Sequence, residues 1–90
     1  MKDLLECRKM IDEIDQKIVS LICERMAVTA DIAVYKKAHD LPVLNRAREE
    51  DMLIRLNKKA GPAFGLYVQE LYEKIFAVSR AYQEKLNPDI

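Results

Sequence analysis

LLECRKMIDEIDQKIVSLICERMAVTADIAVYKK, residues 4–37, runs without a Gly or Pro, and its periodicity decides the fold. Positions 4, 8, 11, 15, 18, 22, 25, 29, 32 and 36 follow the alternating 4,3 spacing that gathers side chains on one helical face. They read Leu, Arg, Ile, Asp, Ile, Ile, Arg, Thr, Ile and Lys, so a seam that should be apolar carries Arg8, Arg25 and Lys36 among isoleucines. Burying an unpaired cation is costly. The row therefore requires either acidic partners inside the protein or an anionic ligand held by several cations together.

Outward from that stretch the chain reads as all-helical, with a long first helix, a short second and a medium third. Asp3 caps the first helix, which stops in Ala38-His39-Asp40-Leu41-Pro42. Asn45 caps the second, whose early turns set Glu49, Glu50 and Asp51 against the positive end of the helix dipole. It ends before Gly61-Pro62, with Leu53 and Leu56 as core candidates. The third begins between Ala63 and Tyr67 and ends at Asn87-Pro88. It presents Val68, Leu71, Tyr72, Ile75, Ser79, Tyr82, Gln83 and Leu86 at helical spacing. No alternating run argues for a strand, and at 90 residues the chain is expected to be one domain, 1–90, with a modest core.

The first helix carries an expectation about assembly. Thirty-four helical residues span about 50 Å, whereas a compact chain of this size is roughly 30 Å across. A second copy laying its own long helix alongside would cover the remainder, so an intertwined homodimer is expected. Arg25 and Lys36 are 36 − 25 = 11 residues apart, three turns on nearly one face, with Cα atoms ~16 Å apart. Their side chains can close on one small molecule. Arg8 lies ~25 Å before Arg25 along the axis and reaches the same molecule only from the partner chain.

Fifteen Lys and Arg balance fifteen Asp and Glu, so no global field recruits nucleic acid or an anionic membrane, and any anion site is local. No stretch approaches bilayer length and no signal peptide is expected, which points to a cytoplasmic protein. Cys7 and Cys23 are ~24 Å apart on one helix and cannot pair with each other, so free buried thiols are expected. No Cys and His metal cluster, nucleophile paired with His, or glycine-rich phosphate loop is present, and neither metal nor cofactor is expected.

Each polar candidate taken alone has a plainer reading. Arg8, Arg25 or Lys36 could snorkel or pair with Glu24, Asp31, Glu49 or Glu70. Ser79 and Gln83 could be the polar edge of an amphipathic helix, Arg48-Glu49 a solvated charge pair, and His39 a loop residue. The three cations together weigh against it.

Taken in order, Arg8, Arg25, Lys36, Arg48-Glu49 and Ser79-x-x-x-Gln83 resemble the all-helical chorismate mutase family. The opening Leu4-Leu5-x-x-Arg8-x-x-Ile11-x-x-Ile14-Asp15 and the segment Leu21-x-x-x-Arg25 add to the likeness, which runs from Leu4 to Gln83. The resemblance implies an isomerase converting chorismate to prephenate in the route to phenylalanine and tyrosine. It also implies an intertwined dimer with two sites, each completed by an arginine of the other chain.

Carried over by position, the resemblance gives Arg8 of one chain and Arg25 of the other the two substrate carboxylates, helped by Ser79. Lys36 and Gln83 would donate to the ether oxygen, Glu49 would take the ring hydroxyl, and Arg48 would support the charged lining. Asn45 stands where many relatives have Asp, and it keeps a carbonyl acceptor and the capping role. A unimolecular rearrangement needs no nucleophile, proton shuttle or cofactor. Competing readings are an isochorismate pyruvate lyase of the same fold, a non-catalytic sensor of an aromatic-pathway metabolite, and a structural dimerisation domain. Arg48-Glu49, which supplies a hydroxyl acceptor, favours the mutase over the lyase.

Overall fold

The computed structural model describes residues 3–88. Three helices follow one another, α1 (Leu4–Ala38), α2 (Arg46–Ala60) and α3 (Gly65–Leu86), and there is no strand among the described residues. No helix among them is long and apolar enough to cross a membrane.

The helix ends are set by local chemistry. Asp3 caps α1 by accepting from the Glu6 backbone N–H at 2.8 Å. At the other end Asp40 takes the left-handed conformation, φ 54°. Leu41 N–H then donates to the Lys36 carbonyl at 2.8 Å and Asp40 N–H to that of Lys37 at 3.4 Å, the paired bonds of a Schellman stop. This turn carries Val43 back over the helix end, where the Lys36 ammonium donates to the Val43 carbonyl at 2.7 Å. Asn45 caps α2 by accepting from Arg48 N–H at 3.1 Å.

Gly61, at φ 87°, closes α2, and α3 turns back against it. The approach is close at Gly65, where a Cβ would lie 2.7 Å from Asn57 Oδ1 and 2.9 Å from the Asn57 carbonyl oxygen. The side chain could rotate away, but the backbone oxygen could not. Gly65→Ala is therefore expected to destabilise the fold by about 1–3 kcal/mol through overpacking, read as a lower thermal midpoint. An unchanged midpoint would show that α2 yields freely there.

α3 packs against both α1 and α2. The molecule measures 55 × 25 × 14 Å, so its thinnest dimension is little more than one helix. Only Ala33, Val43 and Phe76 are buried apolar residues among those described, beside the buried polar residues Thr29, Ser79, Gln83 and Asn87. Asn87 ties α3 to α1 by donating to the Ala33 carbonyl at 2.6 Å. A centre this polar is organised around a site more than around a core.

The start of α3 faces Ile18, Leu21 and Ile22, and α1 before them runs on alone. Every residue from 4 to 24 is exposed, including Ile11 at 55% and Leu21 at 62%. Cys7 and Cys23 are free, as expected, but exposed where burial was expected, because one chain offers nothing to cover that half of α1. For the same reason Leu71 is 64% exposed on α3. Leu53 and Leu56, the expected core of α2, are half-buried.

Candidate active site

The last half of α1, the start of α2 and the last half of α3 enclose a cleft of about 480 Å³. Arg25, Thr29, Ile32 and Lys36 face it from α1 at the i, i+4, i+7, i+11 spacing that keeps one helical face toward a neighbour. Asn45, Arg48 and Glu49 reach it from the cap and first turn of α2, and Phe76, Ser79, Arg80 and Gln83 from α3. Val28, Val43 and Met52 add apolar wall.

Seven of the eight positions singled out in the sequence line this one cleft: Arg25, Lys36, Asn45, Arg48, Glu49, Ser79 and Gln83. Arg8 is exposed on α1 outside it, in keeping with its distance along the helix. The ion pairs of the described residues are Arg55–Asp51 and Arg80–Glu49. Neither involves Arg8, Arg25 or Lys36, so pairing with Glu24, Asp31, Glu49 or Glu70 does not account for the cations on the α1 seam.

Each side chain is held by a nearby group. The Arg25 guanidinium lies 6.0 Å from the Phe76 ring centroid, over its face. Thr29, one turn on, bonds the Arg25 carbonyl at 2.9 Å and contacts Ser79 Oγ at 3.4 Å, joining α1 to α3 at the floor. Arg80 donates to Glu49 Oε1 and so fixes the carboxylate from across the cleft. Gln83 is 6% exposed and its Oε1 has no hydrogen-bond partner in the protein. A buried amide oxygen in that condition costs about 1–3 kcal/mol, which a ligand or a second chain carrying a donor would recover.

The cleft is positive. Four cations, Arg25, Lys36, Arg48 and Arg80, face the single carboxylate of Glu49, an excess of three charges. Partial burial pushes the Lys36 pKa below its ordinary 10.5, and the nearby Glu49 charge offsets part of that. The unfolded chain therefore holds the Lys36 proton to higher pH than the folded one, and stability rises with pH across the window between the two values. A bound anion has the opposite effect on Lys36 and favours its charged form.

Thr29, Phe76 and Arg80 line the cleft although the sequence assigned them no role. Thr29 had a signal, its place on the seam between Arg25 and Lys36. Phe76 lies one turn before Ser79 and could have been found by the same period. Arg80 had none, since only the packing of α2 on α3 brings it to Glu49. The described residues contain no group of three His, Cys, Asp or Glu side chains able to hold a metal ion.

Comparison with known proteins gives the same direction as this geometry. A family model described as chorismate mutase type II matches residues 7–84. The chain is 40% identical over 58 residues to a protein of Methanocaldococcus jannaschii named chorismate mutase, covering 64% of this chain and 59% of that one. It is 31% identical over 93 aligned positions to a bifunctional chorismate mutase/prephenate dehydratase of Aquifex aeolicus, covering 96% of this chain and 25% of the relative. The chain thus spans 59% and 25% of the length of these two relatives. No solved structure matches it.

Proposed function

The chain belongs to the type II chorismate mutase family, and from that premise we propose that its cleft converts chorismate to prephenate. The observation that carries this reading is the gathering of Arg25, Lys36, Arg48, Glu49, Ser79 and Gln83 from three helices around one strongly cationic space. The substrate carries two carboxylates, an ether oxygen and a ring hydroxyl. The cleft of one chain offers a counterpart for one carboxylate, the ether oxygen and the hydroxyl, and Arg8 of a second copy supplies the other.

The rearrangement breaks one C–O bond and forms one C–C bond within a single molecule, and no proton changes place. Catalysis then rests on shape and charge. Arg25, helped by Ser79, holds one carboxylate, and Arg8 of a second copy holds the other. This folds the flexible dicarboxylate into the compact chair that brings the reacting carbons together, removing entropy before the barrier. Lys36 and Gln83 donate to the ether oxygen as it gains negative charge, an interaction stronger in the transition state than in the ground state. Glu49 accepts the ring hydroxyl, Arg48 lines the charged wall, and Asn45 offers a carbonyl near the hydroxyl end. No metal or cofactor takes part.

The whole chain serves as one domain, working as a cytoplasmic homodimer in aromatic amino-acid synthesis. Its surface supports the dimer. A compact monomer of 10.4 kDa exposes about 5,400 Å², against 7472 Å² here. The excess of roughly 2,000 Å² per chain is the scale of an obligate interface. The first half of α1, which also carries Arg8, exposes Leu4, Leu5, Ile11, Ile14, Ile18 and Leu21 to such a partner. Sedimentation at micromolar concentration is expected to give a dimer, and a monomer would contradict a shared site.

Glu49 favours the mutase over the isochorismate lyase, because a half-buried carboxylate held in place supplies the acceptor for the ring hydroxyl. The test is to mix the protein with chorismate, without metal or cofactor, and follow the products by proton NMR. Prephenate should form well above the spontaneous rate. Absence of acceleration would reject the reading, and the same assay with isochorismate would then separate a lyase from a sensor.

A further inference from the structure

Glu49 is expected to hold a substrate hydroxyl, yet a carboxylate in this cleft has two cations competing for it. On one side is Arg80, which donates to Glu49 Oε1. On the other is Lys36, close enough for the Glu49 charge to act on its ammonium. Arg48 stands beside Glu49 on the same turn of α2, and Arg46 and Glu50 share with Glu49 and Arg80 a neighbouring hollow that Lys36 does not line. If Glu49 closed on Lys36, the hydroxyl acceptor and the ether-oxygen donor would satisfy each other, and neither would be presented to a ligand.

We propose that Arg80 is a positioning residue that holds Glu49 to the α3 side of the cleft, leaving Glu49 Oε2 for the substrate hydroxyl and the Lys36 ammonium for the ether oxygen. The geometry suits the task. Arg80 and Glu49 are both partly shielded, with side chains 31% and 23% exposed, so the pair is less screened than one on the open surface. Arg80 follows Ser79 directly on α3, so the element that supplies one ligand contact also sets the position of another. A guanidinium fork can hold one carboxylate oxygen in a fixed direction, which an ammonium on a flexible stem does less well.

This inference rests on the mutase reading for its kinetic consequence, but the charge arrangement can be tested without turnover. The hydroxyl contact is made alike in ground and transition states, so loosening it should weaken binding more than chemistry. Arg80→Met keeps the stem and removes the charge. Its KM for chorismate is expected to rise about tenfold as the hydroxyl contact loosens, and kcat to fall as well because Glu49 engages Lys36, with Arg80→Lys recovering part of both.

Independently, with the lysine ammonium signals followed by heteronuclear NMR, the Lys36 titration should move to higher pH in Arg80→Met, as Glu49 swings toward Lys36. Arg80→Lys should move it less. Arg80→Met also removes a cation that repels Lys36, so the part due to Glu49 is read by adding Glu49→Gln. The rise should largely vanish in that background, whereas a rise that persists there would show that Arg80 does not act through Glu49. An unmoved Lys36 titration in a folded Arg80→Met protein would overturn the proposal, as would an equal fall in kcat and kcat/KM. Inactivity of the wild type on chorismate would reject the mutase reading while leaving the titration to decide the role of Arg80.

Discussion

Lys36→Ala is expected to lower kcat for chorismate by about 10²- to 10³-fold, equivalent to about 3–4 kcal/mol of barrier, while the helical fold persists. The reason lies in timing. The ether oxygen carries little charge in bound chorismate and much more as its bond breaks, so a donor aimed at it acts mostly on the barrier. The turn at Asp40 brings the Val43 carbonyl onto one of the three donors of Lys36 and leaves two for the cleft, which suits the proposed role. Loss of that side chain relieves the partial burial of a cation but leaves the Val43 carbonyl without its donor, so a modest loss of stability of about 1–3 kcal/mol is expected with the fold retained. Near-normal turnover of folded Lys36→Ala would remove Lys36 from the mechanism.

The wild type should show the matching pH dependence. Because burial lowers the Lys36 pKa below 10.5, kcat/KM should fall on the alkaline side before an ordinary lysine would lose its proton. Bound substrate, being an anion, pulls the value back up, so the alkaline limb of kcat should lie above that of kcat/KM. Coincident limbs at the ordinary lysine range would show that Lys36 is not the group being read.

Gln83→Glu is expected to invert the acid side of the profile. The amide at position 83 donates at any pH, whereas a carboxyl donates only when protonated. Near neutral pH the ionised glutamate would face an oxygen that is itself becoming negative, and it would pair with Lys36. Turnover there should drop by about 10²- to 10³-fold. As the pH falls and the carboxyl gains its proton, activity should return, with the opposite slope to the wild type. The nearly complete burial of residue 83 raises the pH at which this recovery begins, and the cations of the cleft lower it. A flat profile in Gln83→Glu would count against a donor role for Gln83.

What could be read from the sequence was local. Asp3 and Asn45 cap helices through bonds three residues long, and both caps are where composition and spacing put them. Arg25 and Lys36 were legible together because helical period alone sets their common face. What could not be read depended on packing. Arg80 meets Glu49 across a distance of 31 residues in the chain. The need for Gly at position 65 comes from the Asn57 carbonyl on another helix. Cys7 and Cys23 are exposed because a single chain packs nothing against the first half of α1, which periodicity does not encode.

In the proposed mechanism one chain cannot complete the site, which takes Arg25 and Lys36 from one copy and Arg8 from the other. Arg8→Ala and Arg25→Ala should each be nearly inactive, and the measurement is prephenate formation by the two variants after unfolding and refolding as an equal mixture. Random pairing gives half heterodimers, each with one intact site and one doubly damaged site, so about a quarter of wild-type activity should return. A refolded mixture no more active than the separate variants would contradict the shared site.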